Sequence, residues 1–196
     1  MCEAEVGTCN EITVVVGRGL QKLAKEAKKR KTEVSMPILK ILKNMLDQAK
    51  VEYEVYTHPL AYTAQEVAEK QHVSGKEVAK VVMLEVDSGL VMGVIAASSK
   101  IHLNTARASL GASAFRLATE EEFIARFPAC EVGAMPPFGN LFGLRVVVDP
   151  ALEKDEYIYF NAGTHVQTVR MKYKDFAELA KPEVALLTKE TEKWNA

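Results

Sequence analysis

The chain is poor in cysteine, in tryptophan and in long apolar stretches. Its 196 residues include three cysteines, Cys2, Cys9 and Cys130, and one tryptophan. No C-x-x-C pair occurs and no Cys/His spacing fits zinc, which excludes a disulfide framework or a structural metal and points to a reducing compartment. Cys130 is expected to be a small buried hydrophobe. No apolar run approaches the ~20 residues of a membrane span. Ile12 to Val16 is too short for a signal-peptide core and has no basic residues before it, so the expectation is a soluble, cytoplasmic protein with no membrane partner. Net charge is also nearly absent, at −1, so no global field draws the molecule to nucleic acid. Catalytic signatures are missing as well. Gly17-Arg18-Gly19 lacks the third glycine of a dinucleotide fingerprint, and neither a P-loop nor a G-x-S-x-G elbow occurs. The four histidines have no H-x-x-x-H or H-x-H spacing, so no metal ligand set is expected. A Cys/His nucleophile would need Cys130 beside His58, His72, His102 or His165, and nothing in the sequence supports that pairing.

What is present is a regular chain behind an unlike beginning. Residues 1–35 read as an N-terminal extension. Leu20, Leu23, Ala24 and Ala27 could lie on one face of a basic helix carrying Lys22, Lys25, Lys28, Lys29, Arg30 and Lys31. The alternatives are an RNA-contacting arm or a solvated, disordered lead. Residues 36–190 read as one domain. Pro37 near a helix start is followed by Ile38, Leu39, Ile41, Leu42, Met45 and Leu46 at helical spacing. Val51 to Thr57 alternates as a strand, ended by His58-Pro59. Thr63-Ala64-Gln65-Glu66 has the form of a capping box opening a helix to about Lys70. A further short helix is expected over Ser74 to Val78. Val81–Val86 and Leu90–Ala97 flank Asp87-Ser88-Gly89 as a hairpin. Helices are predicted from Leu103, from Thr119 and over Tyr173–Leu179. Strands are predicted at Phe115–Leu117, Leu144–Val148, Tyr157–Asn161 and Val166–Met171. Tight turns between neighbouring strands predict a mixed α/β (α+β) fold with a largely antiparallel or mixed sheet.

Three places carry chemistry. Lys80 opens an apolar run; it either snorkels to the surface or places a cation at a pocket rim, where it could grip a phosphate. Gly133 to Gly143, with Pro136-Pro137-Phe138-Gly139 inside it, is either a rigid connector or a loop that lets a ligand approach the backbone. In Gly163-Thr164-His165 the hairpin turn accounts for the glycine. The histidine is either an exposed turn residue or a polar group in a pocket. Acidic residues are absent between Ser88 and Thr119 and again between Tyr157 and Lys174. Lys100, Arg107, Arg116, Arg170, Lys172 and Lys174 lie in those stretches, as a basic face for an RNA end would require.

Several motifs together, Gly75-x4-Lys80, Ser98-Ser99-Lys100 to Arg107, Gly133-x-x-Pro-Pro-Phe-Gly139 and Phe160-Asn-Ala-Gly-Thr-His165 with Arg170-Met171 and Asp175-Phe176, resemble the YbaK/EbsC family over about Met36 to Leu187. These are free-standing relatives of the prolyl-tRNA synthetase editing domain. The resemblance implies a curved, partly barrel-like sheet surrounded by helices. It implies hydrolysis in trans of a small wrong amino acid (Cys, Ala, Ser or Thr) from mischarged tRNA, often prolyl-tRNA, with no cofactor. It also implies recognition of the 3′ aminoacyl-adenosine end and a possible association with prolyl-tRNA synthetase. By position Lys80 matches the family's essential lysine, which contacts the terminal adenosine or its phosphate. Gly163 and His165 match the Gly-x-His turn at the aminoacyl group, with Thr164 between them. Gly133, Pro136, Pro137, Phe138 and Gly139 match the pocket loop, and Ser98 and Lys100 join the substrate-binding set. Backbone N–H groups near Gly163 would be oxyanion donors. Val81 departs from the polar residue that several members carry after the lysine, which leaves the amino acid open. The competing reading is a non-catalytic module that binds a tRNA end, a nucleotide or a synthetase.

Overall fold

The computed structural model describes residues 39–189. The expectations for residues 1–35 and for Pro37 and Ile38 lie outside them. The described chain runs α1 (Lys40–Ala49), β1 (Tyr53–Thr57), α2 (Ala64–Gln71), β2 (Ala79–Val86), β3 (Gly89–Ala96), α3 (Leu103–Ser109), β4 (Phe115–Leu117), α4 (Glu120–Phe123), β5 (Arg145–Val148), β6 (Tyr157–Asn161), β7 (Gln167–Lys172), α5 (Tyr173–Ala180) and β8 (Glu183–Val184). The fold is mixed α/β with two open sheets, ordered β1-β7-β6 and β4-β2-β3-β5-β8. The first is antiparallel throughout. In the second, β2 pairs antiparallel with β3 and β4, while β3–β5 and β5–β8 are parallel. A single parallel bridge, Val78 to Tyr159, joins the two sheets beside β2.

Local chemistry explains most elements. Asp87 and Ser88 both have positive φ, 49° and 68°, the twist that a two-residue type I′ hairpin needs. The Asp87 carboxylate then accepts from the Ser113 and Ala114 N–H groups at 2.9 and 2.8 Å, tying the turn to the approach of β4. At α2 the capping box is complete. Thr63 Oγ1 accepts from the Glu66 N–H, and the Glu66 carboxylate accepts from the N–H groups of Thr63 and Tyr62. Strand β3 is buried from Val91 to Ala96, because it is central and both its faces are covered, hence its unbroken apolar run. Strand β6 alternates instead: Ile158 and Phe160 are buried while Tyr157, Tyr159 and Asn161 are half-exposed. Phe160 stacks edge-on with Phe138, which also meets Phe176 of α5, at 5.6 and 5.4 Å between ring centres. This trio centres the larger core.

One expectation fails, and one strand was not foreseen. Residues 74–78 form turns and a bridge, not a helix, because the Gly75 carbonyl bonds the Ser98 N–H and the Glu77 carbonyl bonds the Tyr159 N–H. These tertiary partners replace helical ones. The isolated strand β8 was not foreseen. It is two residues long and held by β5, without hydrophobic alternation to announce it.

Candidate functional site

Lys80 lies on β2 opposite Ile95 of β3. Its Nζ donates to the Ala97 carbonyl at 3.0 Å and to the Ser99 carbonyl at 2.6 Å. An ammonium has three N–H donors, so one remains for a ligand oxygen. Burial, with the like charge of Lys100 second, lowers the Lys80 pKa from its ordinary value. The lysine therefore does not snorkel: its head is turned onto two carbonyls at the edge of a cleft.

That cleft is lined by Ala64, Val78, Ala79, Lys80, Val81, Gly133, Met135 and Asn161. Its free volume is about 10 Å³, roughly the space of one water. The lining holds no carboxylate and no hydroxyl or thiol nucleophile. Gly133 has φ +85°, a conformation that suits glycine, and it brings backbone to the cleft wall. Across the second sheet's junction, Asn161 reaches the same wall from the end of β6.

His165 is 7% exposed, which rules out the exposed-turn reading. Its Nε2 donates to the Val132 carbonyl at 2.9 Å, and its Nδ1 is a buried atom with no partner. Its backbone N–H donates to the Glu131 carboxylate at 2.6 Å, and the Tyr62 ring lies 5.2 Å from the imidazole. His165 does not line the Lys80 cleft. It stands behind Gly133, where a side-chain carbon on that glycine would come 3.5 Å from His165 Cε1.

The Gly163 N–H is not free for an oxyanion: it donates to the Ala134 carbonyl at 3.0 Å. Gly163 has φ +103°, and a Cβ there would come 3.2 Å from Leu39 Cβ. Its role in the structure is to let the β6–β7 turn pass close to the start of α1. Thr164 Oγ1 is buried without a partner. Pro136 and Pro137 are buried. Phe138 is a fully buried core ring, and a Cβ at Gly139 would collide with Val146 Cγ2 at 2.8 Å. This half of the loop packs beneath the cleft. Ser98 and Lys100 are exposed, and they flank Ser99, whose carbonyl holds Lys80. The structure thus gathers Lys80 and Gly133 at one cleft, sets Ser98 and Lys100 on its rim, and places Phe138 and Gly139 in the core.

Sequence reasoning missed Asn161, Met135 and Glu131. Asn161 sits inside a motif read for its glycine and histidine. Only its register opposite Thr168, on the face away from Phe160, reveals its direction.

Half of the expected basic face is neutralised: among the described residues Arg116, Arg170 and Lys172 have acidic partners, while Lys100, Arg107 and Lys174 have none. Arg116 pairs with Glu85 and Glu122, and Arg170 with Glu54 at 3.2 Å. Arg170 also lies 3.7 Å over the Tyr157 ring. The groove around it includes Glu52 and Glu54, which would repel phosphate. Among the described residues, Lys100 and Arg107 have no ion pair. No group of three His, Cys, Asp or Glu residues able to hold a metal occurs among the described residues, and no described helix is long and apolar enough to cross a membrane.

Residues 58–179 match the profile of the aminoacyl-tRNA editing domain. The chain is 29% identical over 145 residues to the Multifunctional Ser/Thr-tRNA deacylase ProXp-y of Escherichia coli (strain K12), covering 71% of this chain and 86% of that protein. A solved structure proposed to be a trans-editing enzyme for prolyl tRNA synthetase superposes with a TM-score of 0.67 at 21% identity, over 78% of this chain and 98% of its own. A second, of a hypothetical protein, gives 0.69 at 19% identity, over 76% of this chain and 100% of its own. The matched span runs from His58 to Leu179 and contains the whole Lys80 cleft, and with it the chain belongs to the aminoacyl-tRNA editing domain family.

Proposed function

We propose that this chain is an aminoacyl-tRNA deacylase that removes a small amino acid from mischarged tRNA in trans, with tRNA(Pro) as the first carrier to test. The observation that carries the reading is Lys80, whose ammonium is anchored on the Ala97 and Ser99 carbonyls with one donor left over at a narrow cleft. An aminoacyl ester is an activated acyl group. Water, oriented by a hydroxyl of the substrate, can attack it once positioned, and no protein nucleophile is needed. The acyl carbon–oxygen bond to the ribose then breaks, releasing the amino acid and a free tRNA end. The remaining Lys80 N–H is available to an anionic oxygen, either of the terminal phosphate or developing at the carbonyl. Lys100 at the rim adds a cation for the backbone.

Selection follows from size. A cleft with about one water's free volume rejects a bulky acyl side chain and admits a small one as the flexible Met135 wall yields. The E. coli relative's name includes serine and threonine, which lie within this size class.

The test is a panel of Cys, Ala, Ser, Thr and Pro esters of tRNA(Pro), with cognate controls, using wild type beside Lys80→Ala. Loss of one or two small species, reduced at least about a hundredfold by the substitution while thermal unfolding still shows a folded protein, is the expected result. Equal activity in the folded variant would remove Lys80 from the chemistry. A tight complex with uncharged tRNA and no ester turnover would make the cleft a binding module instead.

A further inference from the structure

The cleft has one polar side chain in its wall besides Lys80, and that side chain lacks a partner. Asn161 ends β6, and its neighbours Phe160 and Ala162 are buried in the core, so its amide projects to the opposite face and lines the cleft. Its Oδ1 is buried and accepts no hydrogen bond. No hydrogen bond reaches it from the donors around it. Lys80 Nζ is turned to Ala97 and Ser99. Thr168, opposite Asn161 in the ladder, is bonded through Oγ1 to His58 Nε2 at 2.8 Å. Buried acceptors are nearly always satisfied in a working protein, so a bare one at a cleft wall calls for a donor brought by the ligand. Thr164 Oγ1, on the same turn, is also unpartnered but does not line the cleft.

The kind of donor follows from the charges. The cleft already holds the Lys80 ammonium and has no lining carboxylate, so a second ammonium beside Asn161 would face a like charge in a poorly solvated space. A neutral hydroxyl meets no such opposition. The remaining wall, Ala64, Val78, Ala79, Val81 and Met135, is apolar. Such a surface fits a side chain that is small and apolar except for one hydroxyl.

We propose that Asn161 is a specificity-determining residue whose Oδ1 accepts a hydrogen bond from the side-chain hydroxyl of the acyl group, so that seryl and threonyl esters are preferred to isosteric apolar ones. This rests on the deacylase reading and names the substrate class within it. A site that hydrogen-bonds a hydroxyl discriminates strongly against the analogue lacking it.

The experiment uses seryl, alanyl and 2-aminobutyryl esters of one tRNA, with wild type, Asn161→Ala and Asn161→Leu, each checked by thermal unfolding. Wild type is expected to cleave the seryl ester at least about tenfold faster than the 2-aminobutyryl ester, which differs from it only by a methyl in place of the hydroxyl. In both variants that ratio is expected to collapse toward one, because the seryl rate falls further than the alanyl and 2-aminobutyryl rates. Three results would overturn the proposal. One is a wild type indifferent to the hydroxyl, a comparison that needs no variant. The second is an unchanged ratio in the folded variants. The third is an equal fall for all three esters, which would assign the acceptor to a group they share, the α-amino group or a ribose hydroxyl. A wild type inert toward every ester removes the deacylase reading and this inference together; an active enzyme with an unmoved ratio removes the inference alone.

Discussion

Single residues here show how burial decides chemistry that residue type leaves open. Cys130 is the clearest case. Its sequence neighbourhood predicts a buried hydrophobe; the side chain is half-buried, and burial pushes its thiol up to about 11. The thiolate is the reactive form. At pH 8 a thiol with that value carries about a hundredfold less thiolate than an ordinary cysteine, so Cys130 is expected to resist iodoacetamide and to gain reactivity only as pH rises toward 11. Peptide-resolved mass spectrometry of the alkylated protein reads this directly. Rapid labelling of Cys130 at pH 8 would contradict it. His165 shows the converse. The Gly-x-His spacing marks the residue, but the Val132 carbonyl takes its Nε2 and leaves Nδ1 without a partner. That carbonyl lies 33 residues away in the chain, beyond the reach of any local pattern.

At the scale of elements, the motifs with self-contained hydrogen bonding were legible. The Thr63–Glu66 capping box and the Asp87-Ser88 turn satisfy their own orphan donors or twist, so a few residues suffice to predict them. Ser74 to Val78 forms no helix, because Gly75 bonds the turn after β3 and Glu77 bonds β6. Likewise, the acid-free stretches suggested a basic face, while strand register set Arg116 against Glu85 and Arg170 against Glu54. The Arg116 cluster carries a pH signature. Glu122 bonds the Arg116 guanidinium and the Thr119 N–H, and these hold its carboxyl near about 2. Its folded pKa is depressed, so the stabilisation from this helix start is fully present above the ordinary glutamate value and is lost as pH falls through about 2. Carboxyl carbon chemical shifts followed from pH 7 to 1.5 should give Glu122 the lowest glutamate midpoint in the α4 turn. In Arg116→Ala the midpoint should move up toward the usual range. A midpoint unmoved by the substitution would make the Thr119 cap the dominant cause.

For the whole molecule, closure depends on one buried carboxylate. Asp149, 2% exposed, accepts from the N–H groups of Ala151, Leu187 and Thr188 and from the Thr188 hydroxyl, at 2.9 to 3.0 Å. It clamps the segment after β8 onto the end of β5. Removing it strands several buried donors, so Asp149→Ala should lower unfolding free energy by about 3 kcal/mol or more in a urea titration. A loss below about 1 kcal/mol would show that water replaces the carboxylate. The sequence predicted only a turn at Asp149-Pro150, since the clamp's partners lie 38 and 39 residues on. The same division runs through the candidate site. By itself the sequence determined the mixed α/β class, most element positions and the family, and it singled out Lys80 as a candidate, because periodicity, turn chemistry and motif spacing are properties of neighbouring residues. Only the tertiary structure decided that Lys80 turns onto two carbonyls, that Phe138 belongs to the core, that the Gly163 N–H is occupied and that Asn161 reaches the cleft. Each of these depends on which groups are left without water and without a partner once distant strands meet, and burial of that kind exists only in three dimensions.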